Sequence, residues 1–155
     1  MAIYDAIDLE WMWDGDFARG KDGDLKDTSY DLIQALIQEI QAVVKSDIGD
    51  WKEHPTLAAG IKDYQGEPNT RKTGDAIKNR VISILTSHNI VKRGDLDVRV
   101  IPVHIHEVLI MIKVNATATS GNSLELGQPI VMSFIYNSVE DSVWYVPENR
   151  IAENF

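Results

Sequence analysis

From Val108 onward the even positions Val108, Ile110, Ile112, Val114, Ala116 and Ala118 are all apolar, while the odd ones pass from Leu109 and Met111 to Lys113, Asn115 and Thr117. That is a period of two, with one face for a core and one that grows polar. The residues before it put Arg99, Ile101, Val103 and Ile105 on one face and Val98, Val100, Pro102 and His104 on the other. The run from Val98 to Thr119 is dense in β-branched residues and breaks once, near His106 and Glu107, which predicts two antiparallel strands. Pro102 has no N–H for a ladder, so it marks an edge or a bulge. After a Gly121-Asn122 turn, Ile130–Tyr136 and Val143–Val146 predict a second hairpin.

The first half of the chain carries a different period. Leu32, Ile33, Leu36, Ile37, Ile40, Val43 and Val44 recur at helical spacing, with Gln34, Gln38, Gln41 and Lys45 opposite, so an amphipathic helix ends near Ser46. Thr28, with Asp31 three residues on, supplies its capping signal. A second helix starts at Thr70 or Thr73 and ends by Gly94, with Ile77, Val81, Ile84, Leu85 and His88 on one stripe. Between them Gly49, Pro55, Gly60, Gly66 and Pro68 predict a loop, tethered by Trp51, Leu57, Ile61 and Tyr64. Ahead of the first helix, Ile7 to Trp13 and a segment around Phe17 flank Asp14-Gly15-Asp16 and predict a hairpin or extended arm. The order is α+β: an N-terminal β-rich arm, two amphipathic helices, and a C-terminal, mostly antiparallel sheet of about four strands. One domain over 1–155 is expected, with an acidic arm at 1–28, the helices and their loop at 29–94, and the sheet at 95–155.

Composition narrows the chemistry. With no cysteine, disulfides and thiolate metal sites are excluded. No segment approaches the roughly 20 apolar residues of a membrane span, and the N-terminus has no basic, apolar leader, so an intracellular soluble protein is expected. The net charge of −9 disfavours nucleic acid and anionic membrane as partners. Residues 1–28 hold eight acids against Arg19, Lys21 and Lys26, whereas 70–94 hold Arg71, Lys72, Lys78, Arg80, Lys92 and Arg93 against Asp75. The basic middle reads as a solvated helix face complementing the acidic arm or as a docking surface for an acidic partner.

Catalytic patterns are weak. Gly15 to Asp22 approaches a phosphate-binding loop, but Asp22 stands where the metal-binding hydroxyl belongs and Asp14, Asp16 and Asp24 repel phosphate. The same cluster lacks the spacing of a calcium loop. His104 and His106 put two imidazoles on one strand face, with Glu107 pointing away and His54 and His88 distant in sequence, so structural histidines are the expectation. Glycoside hydrolysis needs two carboxylates, one held protonated; Glu10, Glu53 and Glu67 are the candidates, and alternation separates Glu10 from its apolar neighbours Leu9 and Trp11.

The order of features resembles a known family. Asp14-Gly15-Asp16, Gly23-Asp24-Leu25, the helix from Leu32, Ser46 to Trp51, Pro55, Gly60, and Asp97-Val98-Arg99-Val100 leading into the sheet follow the pattern of the baseplate wedge, or sheath-initiator, proteins of contractile-tail bacteriophages, often labelled tail lysozyme-like. The resemblance covers roughly residues 5 to 119. The family typically shows Glu-Pro-Arg where this chain has Asp97-Val98-Arg99, so the acid and the arginine are kept and the stiffening proline is not. Glu67-Pro68 is no substitute, since Asn69 follows it and it precedes the second helix.

What the resemblance implies is a structural protein of the virion, assembled in the host cytoplasm and resident in the tail baseplate. Asp97 and Arg99 would contact baseplate wedge core proteins. Val143, Trp144, Tyr145 and Val146 would form a sheath-facing edge strand to which the tail sheath protein adds a strand, with tail tube or hub proteins as further neighbours. No cofactor, metal or catalytic residue is implied. The competing expectation is a peptidoglycan-cleaving tail lysozyme, for which the sequence carries no recognisable catalytic pair.

Overall fold

A computed structural model describes residues 9–12, 16–28, 32–115 and 129–146. Two helices, α1 (Leu32–Lys45) and α2 (Arg71–Ser87), precede four strands: β1 (Leu96–His104), β2 (Glu107–Val114), β3 (Ile130–Asn137) and β4 (Ser142–Val146). The strands pair antiparallel in the order β1-β2-β3-β4, so sequence neighbours are also sheet neighbours. This is the expected α+β architecture. The Gly121-Asn122 turn, the strand positions from Ala116 on, and Asp31 of the capping pair lie outside the described residues.

The alternation seen along β2 carries across the whole sheet. Val98 faces Ile112, which faces Met132, and Val100 faces Ile110, which faces Phe134. All but Val100 are essentially inaccessible to water. They meet Leu36, Ile40 and Val44 of α1 and Ile77, Val81 and Leu85 of α2 in one core. Each fully buried side chain of this size contributes about 1.5–3 kcal/mol relative to exposure. α2 packs against β1 with little between them: a Cβ added at Gly74 would sit 3.5 Å from Val100 Cγ1. Its buried stripe is Gly74, Ile77, Val81, Ile82 and Leu85. Ile84, expected on that stripe, is only partly covered, and His88 is the C-cap, because Ile82 takes the inward place. Thr70 caps the start, accepting from the Thr73 N–H.

Three of the four expected tethers hold the loop between the helices to the core, whereas Trp51 is 41% exposed and its indole N–H donates to the Ser46 hydroxyl (3.0 Å). Leu57 and Tyr64 pack against the core, and Ile61 opens a short 3-10 turn with only 1% of its surface exposed. Gly60 precedes that turn with φ of 58°, where a Cβ would come within 2.9 Å of the Ile48 side chain; the left-handed backbone and the lack of space both call for glycine. Arg80 of α2 locks the same turn, donating to the Gly60 carbonyl (3.0 Å) and to Asp63 (2.9 Å) while stacking 4.8 Å over the Tyr64 ring. The basic stretch thus spends Arg80 on its own loop, and Arg71 lies 4.0 Å from Asp75. Neither of these pairs involves the acidic arm.

The arm forms a small ribbon through bridges Leu9 to Asp27, Trp11 to Phe17 and Arg19 to Leu25. What fastens it is a residue expected on the solvent side of α1. Gln38 is 4% exposed, its amide accepting from the Trp11 N–H (2.8 Å) and donating to the Leu9 carbonyl (2.8 Å), as a neighbouring strand would. Gln41 is buried as well, so the polar stripe of α1 is partly interior. Gln38→Ala would remove the side-chain partner of two part-buried backbone groups of the arm, and each such hydrogen bond contributes about 0.5–1.5 kcal/mol. The expected result is faster amide exchange at Trp11 with the exchange of β2 and β3 unchanged; an equally protected Trp11 amide would show that the arm is held by something else.

Candidate interaction face

The register that builds the core also decides what the sheet shows on its other side. Opposite Val98 and Val100 point Asp97, Arg99 and Ile101, and each begins a row that crosses the sheet. Arg99 faces Met111, then Ser133, then Val146; Ile101 faces Leu109, then Ile135, then Trp144; Asp97 faces Lys113, then Val131. Asp97 and Lys113 are a cross-strand pair of opposite charge, which favours this register. The second row is apolar from one edge of the sheet to the other, with Ile101 41% and Trp144 59% exposed at its ends. Met111, Val131 and Ser133 are buried in the centre.

The two sets of residues singled out in the sequence therefore occupy opposite margins of one face. Asp97 and Arg99 stand on β1 and Trp144 and Val146 on β4, with Arg99 exposed and Asp97 half-buried. Val143 and Tyr145 differ from their neighbours. They alternate to the helix side, where they pack against the core, and the Tyr145 ring lies 5.4 Å from that of Phe134 at 47°. Of the four β4 candidates, two present side chains outward and two anchor the strand. Burial pushes the Tyr145 hydroxyl pKa up. Trp144 is steadied by its indole N–H donating to the Ser142 hydroxyl (2.7 Å).

The strand ends carry the expected irregularity. The β1 to β2 register shifts between Pro102 and His104, as the missing proline N–H requires. His104 and His106 do not share a strand face, since Ile105 and His106 form the hairpin turn and His104 ends β1. Both are exposed. Among the described residues no group of three histidine or acidic side chains could hold a metal ion.

The carboxylates weighed for hydrolysis are dispersed. Glu10 is paired with Lys26 at 3.2 Å, Glu53 is exposed in the interhelical loop, and Glu67 lies at the rim of a pocket beyond the sheet. Among the described residues the carboxyl with a strongly shifted pKa is Glu39 of α1, raised from its ordinary 4.5 to about 7 by burial. The sequence does not show this, because helical spacing alone puts the polar positions of α1 on its solvent side, and only the packing of Gln38 beside it reveals that part of this side is interior.

Compared with known proteins, the chain matches no family model, no curated protein and no solved structure.

Glu39 makes stability depend on pH. The folded chain holds this proton more tightly than the unfolded one, so the penalty is absent below about pH 4.5, grows as pH rises and is complete above about 7. Glu39→Gln should therefore stabilise the protein at pH 8 by about 1 kcal/mol, once residual solvent is allowed for, and change nothing at pH 4. Urea unfolding at the two pH values measures both; an equal gain at each would assign the effect to packing.

Proposed function

We propose that this protein is a structural component of a bacteriophage contractile-tail baseplate, a wedge subunit that docks on the wedge core and templates the first sheath ring by strand addition. The observation that carries the proposal is the sheet: among the described residues, neither β1 nor β4 has a second strand partner. Such edges offer rows of N–H and C=O groups to an extended segment from another chain, with alternate side chains setting its register.

The two edges suit different tasks. β1 carries Pro102, which blunts its far end as a template, and Arg99, whose planar fork matches a carboxylate in two-point contact. That favours β1 as the margin facing wedge core proteins. β4 contains no proline, exposes Trp144 and is anchored from behind by Val143 and Tyr145, which favours it as the strand the tail sheath protein extends. Because the edges lie on opposite sides of the sheet, both partners fit at once, leaving other surfaces for tail tube or hub neighbours. In this reading the protein is assembled in the host cytoplasm and resides in the virion baseplate, without catalysis or cofactor. The resemblance to the sheath-initiator family suggests the partners, and the open sheet edges support strand addition as the mode of contact.

Arg99→Glu should leave the circular dichroism of the isolated protein unchanged and abolish its capture of wedge core proteins in a pull-down. Undiminished capture would remove Arg99 from the contact. On an antiparallel edge one of two adjacent N–H groups faces the partner strand and the next faces outward, so Val143→Pro and Trp144→Pro test the β4 template as a pair. The variant that keeps the fold should fail to nucleate sheath on preformed baseplates, and normal sheath growth would exclude β4. Clearing of a peptidoglycan suspension by the purified protein, lost in Glu10→Gln, Glu53→Gln or Glu67→Gln, would overturn the structural reading in favour of a tail lysozyme.

A further inference from the structure

Strand addition leaves open which segment the edge selects, and the rows of the sheet answer that. β4 forms its ladder with β3 alone, and among the described residues no other hydrogen bond reaches its backbone. Each of its residues therefore ends a row that a fifth strand would lengthen. On the outer face the row Ile101, Leu109, Ile135 and Trp144 is apolar throughout and ends on an indole side chain whose residue is 59% exposed. The indole N–H donates to the Ser142 hydroxyl (2.7 Å), so the ring is oriented before any partner arrives. On the helix side the row Val100, Ile110, Phe134 and Tyr145 is apolar as well, and its last member, like Val143 two residues before it, is only partly buried.

The residue types along these rows say what extends them. Aromatic side chains pair favourably with aromatic or β-branched ones directly opposite, so the position beside Trp144 calls for a bulky apolar residue. Its two neighbours alternate to the helix side, beside Val143 and Tyr145, where an apolar side chain continues the core. Two positions along the outer face the requirement changes, because the row His104, Glu107, Asn137 and Ser142 is polar. The Ser142 hydroxyl donates to the exposed carboxylate of Glu140 (3.4 Å). The hairpin from 130 to 146 carries Glu140 and Asp141 and neither lysine nor arginine, so a cation beside Ser142 meets negative charge and no competing base. A second copy of this chain does not fit the place: paired antiparallel about Trp144, it would set its own Val146 beside Ser142 and supply no cation.

We infer that β4 recognises an extended segment of a partner protein in which a bulky apolar residue is flanked on both sides by apolar ones and followed, two positions on, by a lysine or arginine. The segment runs antiparallel to β4, as every strand of this sheet does to its neighbour, which puts the cation at the hairpin tip. The inference rests on the baseplate reading, which takes β4 as the template, and adds the sequence that the template selects. Backbone pairing gives such a contact its affinity and alternate side chains give it specificity. A segment displaced by one residue would turn its cation toward the helix side and its bulky residue away from Trp144.

Three blocked hexapeptides test it on the full-length protein by NMR titration. The first is acetyl-threonyl-valyl-phenylalanyl-valyl-lysyl-threonine amide, the second has the same residues with lysine moved next to phenylalanine (threonyl-valyl-lysyl-phenylalanyl-valyl-threonine), and the third replaces the lysine of the first by glutamate. The first should shift the β4 amides and the Trp144 indole resonance, with a dissociation constant on the order of millimolar, as expected for a ligand this small. The second, which no slip of register brings into the pattern, should bind about fivefold more weakly, and the third about threefold more weakly. Glu140→Gln should erase the difference between the first and the third. Trp144→Ser, at an exposed position, should weaken the first peptide severalfold at an unchanged melting temperature. Equal affinity of the three peptides at β4 would overturn the inference and leave β4 an unselective template. If no peptide shifts the β4 amides, the inference falls together with the role of β4 in the baseplate reading. Shifts of β4 that track protein concentration with no peptide present would give the edge to a second copy and overturn the inference as well.

Discussion

The rest of the structure depends on the register of the antiparallel sheet. Side chains on a strand alternate strictly, so sliding one strand by a single residue would carry its apolar set to the opposite face. Here the helices cover only one face, and the row from Val98 through Ile112 to Met132 must lie beneath them. Once that row is set, Arg99, Ile101, Trp144 and Val146 have no choice of side. Core packing therefore positions these four residues on the far face, while the other two β4 candidates, Val143 and Tyr145, pack against the core.

Around this sheet several polar side chains bond to the backbone of distant segments. Gln38 does so most plainly, with one acceptor and one donor matching a Leu9 carbonyl and a Trp11 N–H. Asn69 ties a helix start to a hairpin tip through two carbonyls, and Arg80 closes the interhelical turn through a carbonyl and a carboxylate. Each crosslinks elements far apart in sequence through side-chain bonds that satisfy groups otherwise left open. Glu39 and Tyr136 are the exceptions. Burial raises the pKa of the first to about 7, and the hydroxyl of the second, like Asp141 Oδ1, is buried without a hydrogen-bond partner.

Much of the candidate face could be read from residue types, because Pro102, the alternation of β2 and the short apolar run at Val143–Val146 each have a single local meaning. Less could be read of which candidates point outward. Val143 and Tyr145 look no different from Trp144 and Val146 in sequence, and only pairing with β3 sends the first two to the helix side. The two histidines show the same limit: their spacing suggests a common strand face, but β1 ends at His104 and His106 lies in the two-residue turn that follows. The row from Ile101 to Trp144 was illegible for a stronger reason, since its four members come from four strands and lie next to one another only through three registers.

The sequence by itself determined the kinds of element and their order, because periods of two and of 3.6 and the positions of proline and glycine act within a few residues of chain. It also settled that no thiolate chemistry is open to this protein and that its surface is acidic. The tertiary structure alone decided that Gln38 is an interior clamp and that Arg99 and Trp144 share one face. Each of these depends on which surfaces are brought together, and burial, register and hydrogen-bond pairing between distant segments are set by the packing of the whole sheet against both helices.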